Sequence, residues 1–452
     1  MKKILNQIDD PRVRSSLIYS VIDGCLWAVM FGFCENYIVP FIFLFKANSF
    51  LAAFIQGVLF LGVFTGQIIG PKLIKLAGQR KLLSVISVRV QGIALFLVVL
   101  VAYLTRSPLF IILLFFISST STNAGAPGWL SWMNDLVPKK IRGTYWSRRN
   151  QIIGFTQFTS IIIAGFCLFI FKKIGLERTG YSILFTIAAA ARFSSGFFLA
   201  KKYEPPIETG YNQVEFKFRI FLQKLFTTNF GKFAMFQFFM AFSVNLMGPI
   251  VNVHIIESLH FNYIQFMFVT LSFMAASFIS VTYWGPHSDR YGNYRILVAT
   301  SISLPILSLI WVFNRNFYII LLAQIFGGFV WSGFNLCTQN YIFDAVRREN
   351  VAKISSYYNI MANLFSFMGV TLSGLLTVLT KHFHFSFFTS NNYELIFILS
   401  FFLRILVVLF FIKNFNEVRE VETSPSLFHF YVYMPTTHII NKFNLILGKL
   451  KK

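Results

Sequence analysis

Acidic residues are scarce: 17 Asp and Glu stand against 40 Lys and Arg in 452 residues, and charged residues of both signs make up only 13%. A soluble domain carries about 25% charged residues. With 56% hydrophobic residues and 58 Phe, the chain has more apolar surface than a core can hide, so lipid must cover much of it. Cysteine is sparse too. Cys25, Cys34, Cys167 and Cys337 fall singly inside apolar runs, at no spacing that holds a metal, and read as packing residues. No glycine-rich phosphate loop is present, which argues against direct coupling to ATP. No cofactor and no metal are expected. The net charge of +23 suggests nucleic acid, but the basic residues lie in short loops between apolar runs and form no basic domain, so none is expected.

What the chain has is twelve apolar runs, at 17–45, 49–70, 82–104, 108–133, 150–171, 180–200, 232–256, 263–284, 296–313, 317–342, 354–380 and 393–412. A bilayer crossing needs about 20 residues. Helices are the only option at this length, because backbone groups in lipid must be satisfied within the segment. The first run carries Asp23 and Glu35; it is too long and too acidic for a cleaved signal and reads as a membrane helix. Of the 40 Lys and Arg, 30 fall in the termini and the alternate loops on the same side, 7 in the opposite loops and 3 inside runs. That asymmetry puts both termini in the cytoplasm.

The longest loop, 201–231, opens Lys201-Lys202-Tyr203-Glu204-Pro205-Pro206 and ends in a basic, aromatic stretch. It reads as a cytoplasmic linker between a six-helix half at 1–200 and another at 232–413. The halves repeat weakly. Asn36-x-x-x-Pro40 returns as Asn245-x-x-x-Pro249, Gly70-Pro71 as Gly285-Pro286, Asp135 as Asp344, and Tyr181, Arg192 and Lys201 as Tyr393, Arg404 and Lys413. Matches in the same order support a duplicated fold. The tail, 414–452, ends in apolar residues interleaved with Lys442, Lys449, Lys451 and Lys452, the pattern of a basic amphipathic helix on the inner leaflet or of a disordered tail.

Polar residues inside a span are expensive and mark function by default. They concentrate in the first run (Asp23, Glu35, Asn36), the fourth (Ser118 to Asn123), the seventh (Asn245, Asn252, His254) and the tenth (Asn335, Asn340). Asp23 lies ~9 Å into its run at 1.5 Å per residue, at a depth shared by Arg89 and Arg192, and either arginine would offset its charge. Such a pair serves as a structural neutraliser or in coupling. Arg404 has no evident partner and is expected to snorkel toward the cytoplasm. Glu35 has no basic neighbour at matching depth; it suits proton coupling, or else a hydrogen bond lining a cavity. His254, near the outer end of its run, is expected at a solvated edge.

The polar stretch Gly285-Pro-His-Ser-Asp289-Arg290-Tyr-Gly292-Asn-Tyr-Arg295 separates the eighth and ninth runs. Gly285 and Gly292 would let the backbone turn sharply, and Arg290 and Arg295 would hold it in the cytoplasm. The pattern Gly-x-x-x-Asp-Arg-x-Gly-x-x-Arg resembles the signature loop of major facilitator superfamily transporters. A second stretch, Pro138-x-x-x-Arg142-Gly143 followed by Arg148 and Arg149 before the fifth run, resembles bacterial permeases of that superfamily. The first-half copy, Gly70 to Lys81, departs from the pattern in having Lys75 where an acid is expected.

The resemblance implies an all-α integral membrane protein of twelve transmembrane helices in two pseudo-symmetric six-helix halves. The first, fourth, seventh and tenth helices would line a central cavity, giving Glu35, Asn36, Thr122, Asn123, Asn245, Asn252, Trp331 and Asn335 as candidate substrate contacts. Asp289 would hold the cytoplasmic face shut against Arg148 or Arg149. The chain would then be a monomeric secondary transporter, not an enzyme, moving a small solute by alternating access with H+ as coupling ion. A sodium-coupled sugar symporter of the same fold is the alternative. A lipid translocator is permitted by the aromatic abundance but not indicated by it, and a membrane-embedded transferase lacks paired acids or His in a sizeable loop.

Overall fold

The computed structural model describes residues 8–105, 107–138, 141–206, 218–347, 350–380, 392–422, 430 and 431. Among them are twelve helices long and apolar enough to cross a membrane: Pro11–Phe43, Ser49–Ala77, Arg80–Leu104, Pro108–Leu136, Arg142–Lys173, Glu177–Lys201, Asn229–Glu257, Tyr263–Tyr291, Asn293–Phe313, Phe317–Ala345, Lys353–Leu379 and Tyr393–Asn414, taken below as the first to the twelfth span. The described residues contain no strand. The chain is an all-helical integral membrane protein. The proposed amphipathic tail, linker residues 207–217, Lys139 and Lys140 lie outside the described residues.

Local chemistry sets the helix ends. Asp10 accepts from the Arg12 amide at 2.8 Å and Pro11 opens the helix, which starts the first span ahead of its apolar run. Asn48 and Asn316 cap the second and tenth spans in the same way. The fifth span begins at Arg142, well before its apolar run, because a helix continues into the headgroup region where charged side chains reach water. The first span is interrupted by a 3-10 turn, Glu35–Tyr37, just before Pro40.

The Gly285–Arg295 stretch differs from the turn read in the sequence. The eighth helix runs through Gly285 and Pro286 to Tyr291. His287 Nδ1 lies 2.6 Å from the Tyr283 carbonyl, and Ser288 Oγ donates to the Gly285 carbonyl at 2.9 Å. These polar side chains bond back to their own helix, so polarity does not end it. The break comes at Gly292 alone, with φ at 86°. A side chain there would also run into the Glu417 carboxylate.

The described residues fall into two compact units. The first comprises Met1–Gln213, Val244–Met267 and Tyr358–Ile396; the second comprises Val214–Ser243, Phe268–Tyr357 and Phe397–Lys452. In the first, Gly62, Gly66 and Gly70 form a stripe at four-residue spacing on the second span. A Cβ at Gly62 would sit 2.5 Å from Ser119 Cβ and one at Gly66 2.5 Å from the Thr120 carbonyl, so only glycine admits the fourth span this closely. Arg80, 4% exposed, joins the start of the third span to Asp135 at 2.5 Å and to Glu204 at 3.4 Å.

The first unit also holds a polar cluster at the end whose loops are poor in Lys and Arg. The Tyr181 and Tyr263 hydroxyls lie 2.8 Å apart and Tyr263 donates to Glu177. Ser49 Oγ lies 2.7 Å from the Tyr393 hydroxyl, and both bond to Glu257.

In the second unit, the chain leaving the twelfth span folds back over the eighth and ninth. Phe415 packs on Phe233, Phe236 and Tyr341. Arg290 meets Glu422 at 2.7 Å and Arg419 meets Asp344 at 3.0 Å. Arg404 does not snorkel. It is 4% exposed and donates to the Leu304 carbonyl at 2.9 Å, because neighbouring helices enclose it. His254, expected at a solvated edge, is 1% exposed, with its ring 6.3 Å from that of Tyr393.

Candidate functional site

A cavity of about 360 Å³ opens inside the first unit, within the size range of small-molecule sites. Five sequence-predicted residues line it: Asp23, Thr122, Asn123, Arg149 and Arg192. Trp27 and Trp129 add aromatic walls.

The first, third, fourth and sixth spans converge on one buried charge pair. Of the two partners open to Asp23, it takes Arg192: Nη1 lies 3.7 Å from Asp23 Oδ1, which also accepts from Ser195 Oγ at 2.5 Å. Arg192 donates Nη2 to Thr122 at 2.9 Å, Nη1 to Ser195 at 3.3 Å and Nε to Gln91. Desolvated ions are tolerated only when their hydrogen-bonding capacity is met, and this set meets it. Arg89 goes elsewhere, stacked over Phe197 at 5.2 Å and Phe193 at 6.0 Å.

A second cationic feature adjoins the cavity. Arg149, 8% exposed, donates Nε to the Ser20 carbonyl and hydroxyl, each at 3.2 Å. Its guanidinium lies over the rings of Trp129 at 5.0 Å and Trp146 at 5.3 Å. Just beyond the sixth span, Lys202 is fully buried over Trp132 at 4.2 Å, its Nζ 3.0 Å from Met133 sulfur. Burial pushes its ammonium down to about 7.

The other candidates lie apart from the cavity. Glu35 is half-buried in the 3-10 turn and makes no hydrogen bond or ion pair with the described residues. Asn36 is half-buried beside it. Asn245 donates to Ser366 at 3.1 Å, and Asn252 is half-buried. All four belong to the first unit but not to the cavity lining. Trp331 and Asn335 belong to the second unit, where Trp331 packs on Phe334 at 5.4 Å and Asn335 is exposed. Gly285, Asp289, Arg290, Gly292 and Arg295 also lie there, with Asp289, Arg290 and Arg295 exposed. Arg148 is exposed and donates to Gln151 at 3.1 Å. No cluster of metal-ligating side chains occurs among the described residues.

Sequence reasoning missed Gln91, Ser195 and Trp129. A search for Asp, Glu, Asn and His within spans passes over all three. The signal that would have found two of them is a buried arginine's need for acceptors: Ser195 lies one helical turn beyond Arg192, and Gln91 sits at similar depth in a neighbouring span.

These twelve spans define an all-helical integral membrane protein. The profile of the Major Facilitator Superfamily matches residues 233–429. No curated protein matches. Among solved structures, a point mutant of the nucleoside transporter NupG is similar at TM-score 0.68 and 12% identity, over 90% of this chain and 100% of that one. The D-xylose-proton symporter gives 0.68 and 14%, over 90% and 98%. The xylose transporter XylE from E. coli, partially occluded and inward open, gives 0.62 and 13%, over 92% and 100%. At such identities the structural likeness is one of fold. The matching profile adds a resemblance to the major facilitator superfamily over residues 233–429.

Proposed function

We propose that the protein is a secondary active transporter that moves a small solute across the cell inner membrane by alternating access, as a monomer coupled to H+. The observation that carries this reading is the 360 Å³ cavity inside a membrane-spanning unit, lined by Asp23, Thr122, Asn123, Arg149 and Arg192. Polar and charged side chains at membrane depth are retained where a solute or ion must pass. The relatives of similar fold include a nucleoside transporter and a xylose-proton symporter, in keeping with a solute of that size.

The division into halves at 1–200 and 232–413 belongs to the same reading. Both termini face the cytoplasm, on the Lys- and Arg-rich side. The Tyr181–Tyr263–Glu177 and Ser49–Tyr393–Glu257 clusters then lie at the outer end and act as its latch, since each joins spans of the two halves. Glu35, close to that end and free of ion pairs among the described residues, is the group proposed to take up and release the proton.

The test is a thermal-shift screen of purified protein against sugars, amino acids, nucleosides and organic acids, followed by uptake of each hit into proteoliposomes. Accumulation driven by a proton gradient supports the reading. Accumulation driven by a sodium gradient alone replaces the coupling ion, and absence of flux under either gradient removes the transport function.

A further inference from the structure

The cavity of the first unit is rich in donors and short of acceptors. Its single acid, Asp23, is already engaged by Arg192 and Ser195. Arg192 is engaged in turn by Gln91, Thr122 and Ser195. Arg149 is not. Its Nε is satisfied by Ser20 and its guanidinium packs against the rings of Trp129 and Trp146. Its two terminal nitrogens meet no acceptor among the described residues. Nη2 points along Gly24, where even a Cβ would come within 2.9 Å. On the same wall, Trp129 Nε1 is a buried donor without an acceptor.

A guanidinium packed against two indole rings with Nε tied down keeps one edge, the in-plane pair of Nη donors. That edge matches the two oxygens of a carboxylate or phosphate. A cation 8% exposed is also poorly hydrated, so an incoming anion has little water to displace. We infer that this cavity takes a solute bearing an oxyanion, carboxylate or phosphate, held on the Nη edge of Arg149 with Trp129 Nε1 as a further donor. The inference rests on the cavity being the solute site proposed above and names the class of that solute.

The experiment follows Tm and tryptophan fluorescence of the purified protein on addition of succinate, inorganic phosphate or glucose 6-phosphate, with glucose and uridine as uncharged controls. At least one anion is expected to bind and the uncharged solutes not. Arg149→Gln should weaken that anion's binding ~10–100-fold, the worth of hydrogen bonds to a charged group. Lys173→Gln, which removes an exposed charge elsewhere, should not. Succinate against the two phosphates decides which oxyanion is read. If Arg149→Gln does not fold, phenylglyoxal labelling of the wild-type protein replaces it. The bound anion, and not glucose, should slow modification of Arg149 as read by mass spectrometry.

Equal anion affinity in wild type and Arg149→Gln, or no protection of Arg149, overturns the inference. A neutral solute transported equally well by both overturns it while leaving the transport function standing. Anion binding through Arg149 without flux under any gradient does the reverse.

Discussion

Asp23 Oδ1 and Arg192 Nη1 stand 3.7 Å apart with both side chains nearly sealed from solvent. Removing one member leaves the other as an uncompensated buried charge, which costs about 3–5 kcal/mol. Asp23→Asn and Arg192→Gln are each expected to lower the thermal unfolding temperature of the detergent-purified protein sharply. The double variant should recover most of the loss, because no orphan charge remains. A double variant as unstable as the sum of the singles would mean that the pair contributes through Thr122, Gln91 and Ser195 rather than through its charges.

The stripe of Gly62, Gly66 and Gly70 makes a packing prediction independent of any charge. Gly66→Val must move the second span away from the Thr120 carbonyl, which a Cβ would approach to 2.5 Å. Overpacking of this kind costs about 1–3 kcal/mol. Gly143→Ala, with nothing within 4 Å of the added Cβ, is the control. The unfolding temperature should fall for the first and hold for the second.

Lys202 gives the pH dependence. Burial holds its folded-state pKa near 7, against an ordinary value of 10.5. Between these two values the unfolded chain binds the proton that the native protein sheds, so stability must rise with pH across that window. At lower pH both states are charged and the full cost of burying the ammonium is present. The unfolding temperature of wild type should therefore climb from pH 7 to 9.5 by more than that of Lys202→Met. Identical slopes would show that the site is wet.

The fold was legible because lipid imposes its own grammar. Each run from Leu17 to Ile412 announces a helix by length alone, and the loop charges give a direction. The cavity was half legible. Asp23, Thr122, Asn123 and Arg192 stand out as polar residues in apolar runs. Choosing Arg192 over Arg89 as the partner of Asp23 needed the helix faces, since both arginines lie at similar depth and only packing turns Arg89 onto Phe193 and Phe197. Arg149 stands out in the sequence only as a basic residue at the mouth of an apolar run; that Ser20, Trp129 and Trp146 bury it beside the cavity is set by packing. The turn at Gly285 failed for a related reason, because polar residues that bond to their own backbone let a helix continue.

Asp289 is the last case, and its surroundings make it a clean probe. The segment after the twelfth span grips the signature stretch on either side of it. Arg419 donates to the Ser288 carbonyl at 2.9 Å and pairs with Asp344, and Glu422 pairs with Arg290. Asp289 itself is exposed and makes no hydrogen bond or ion pair among the described residues. Replacing it with Asn therefore removes no contact that holds the fold, and surface changes of this kind stay within about 0.5 kcal/mol. Asp344→Asn, by contrast, weakens contacts to Arg419 and Asn293 and should cost roughly 1–3 kcal/mol. If Asp289 holds the cytoplasmic face shut during the transport cycle, Asp289→Asn lowers solute uptake with unchanged unfolding temperature and unchanged amount in the membrane. Uptake equal to wild type at equal protein level would strip Asp289 of the gating role.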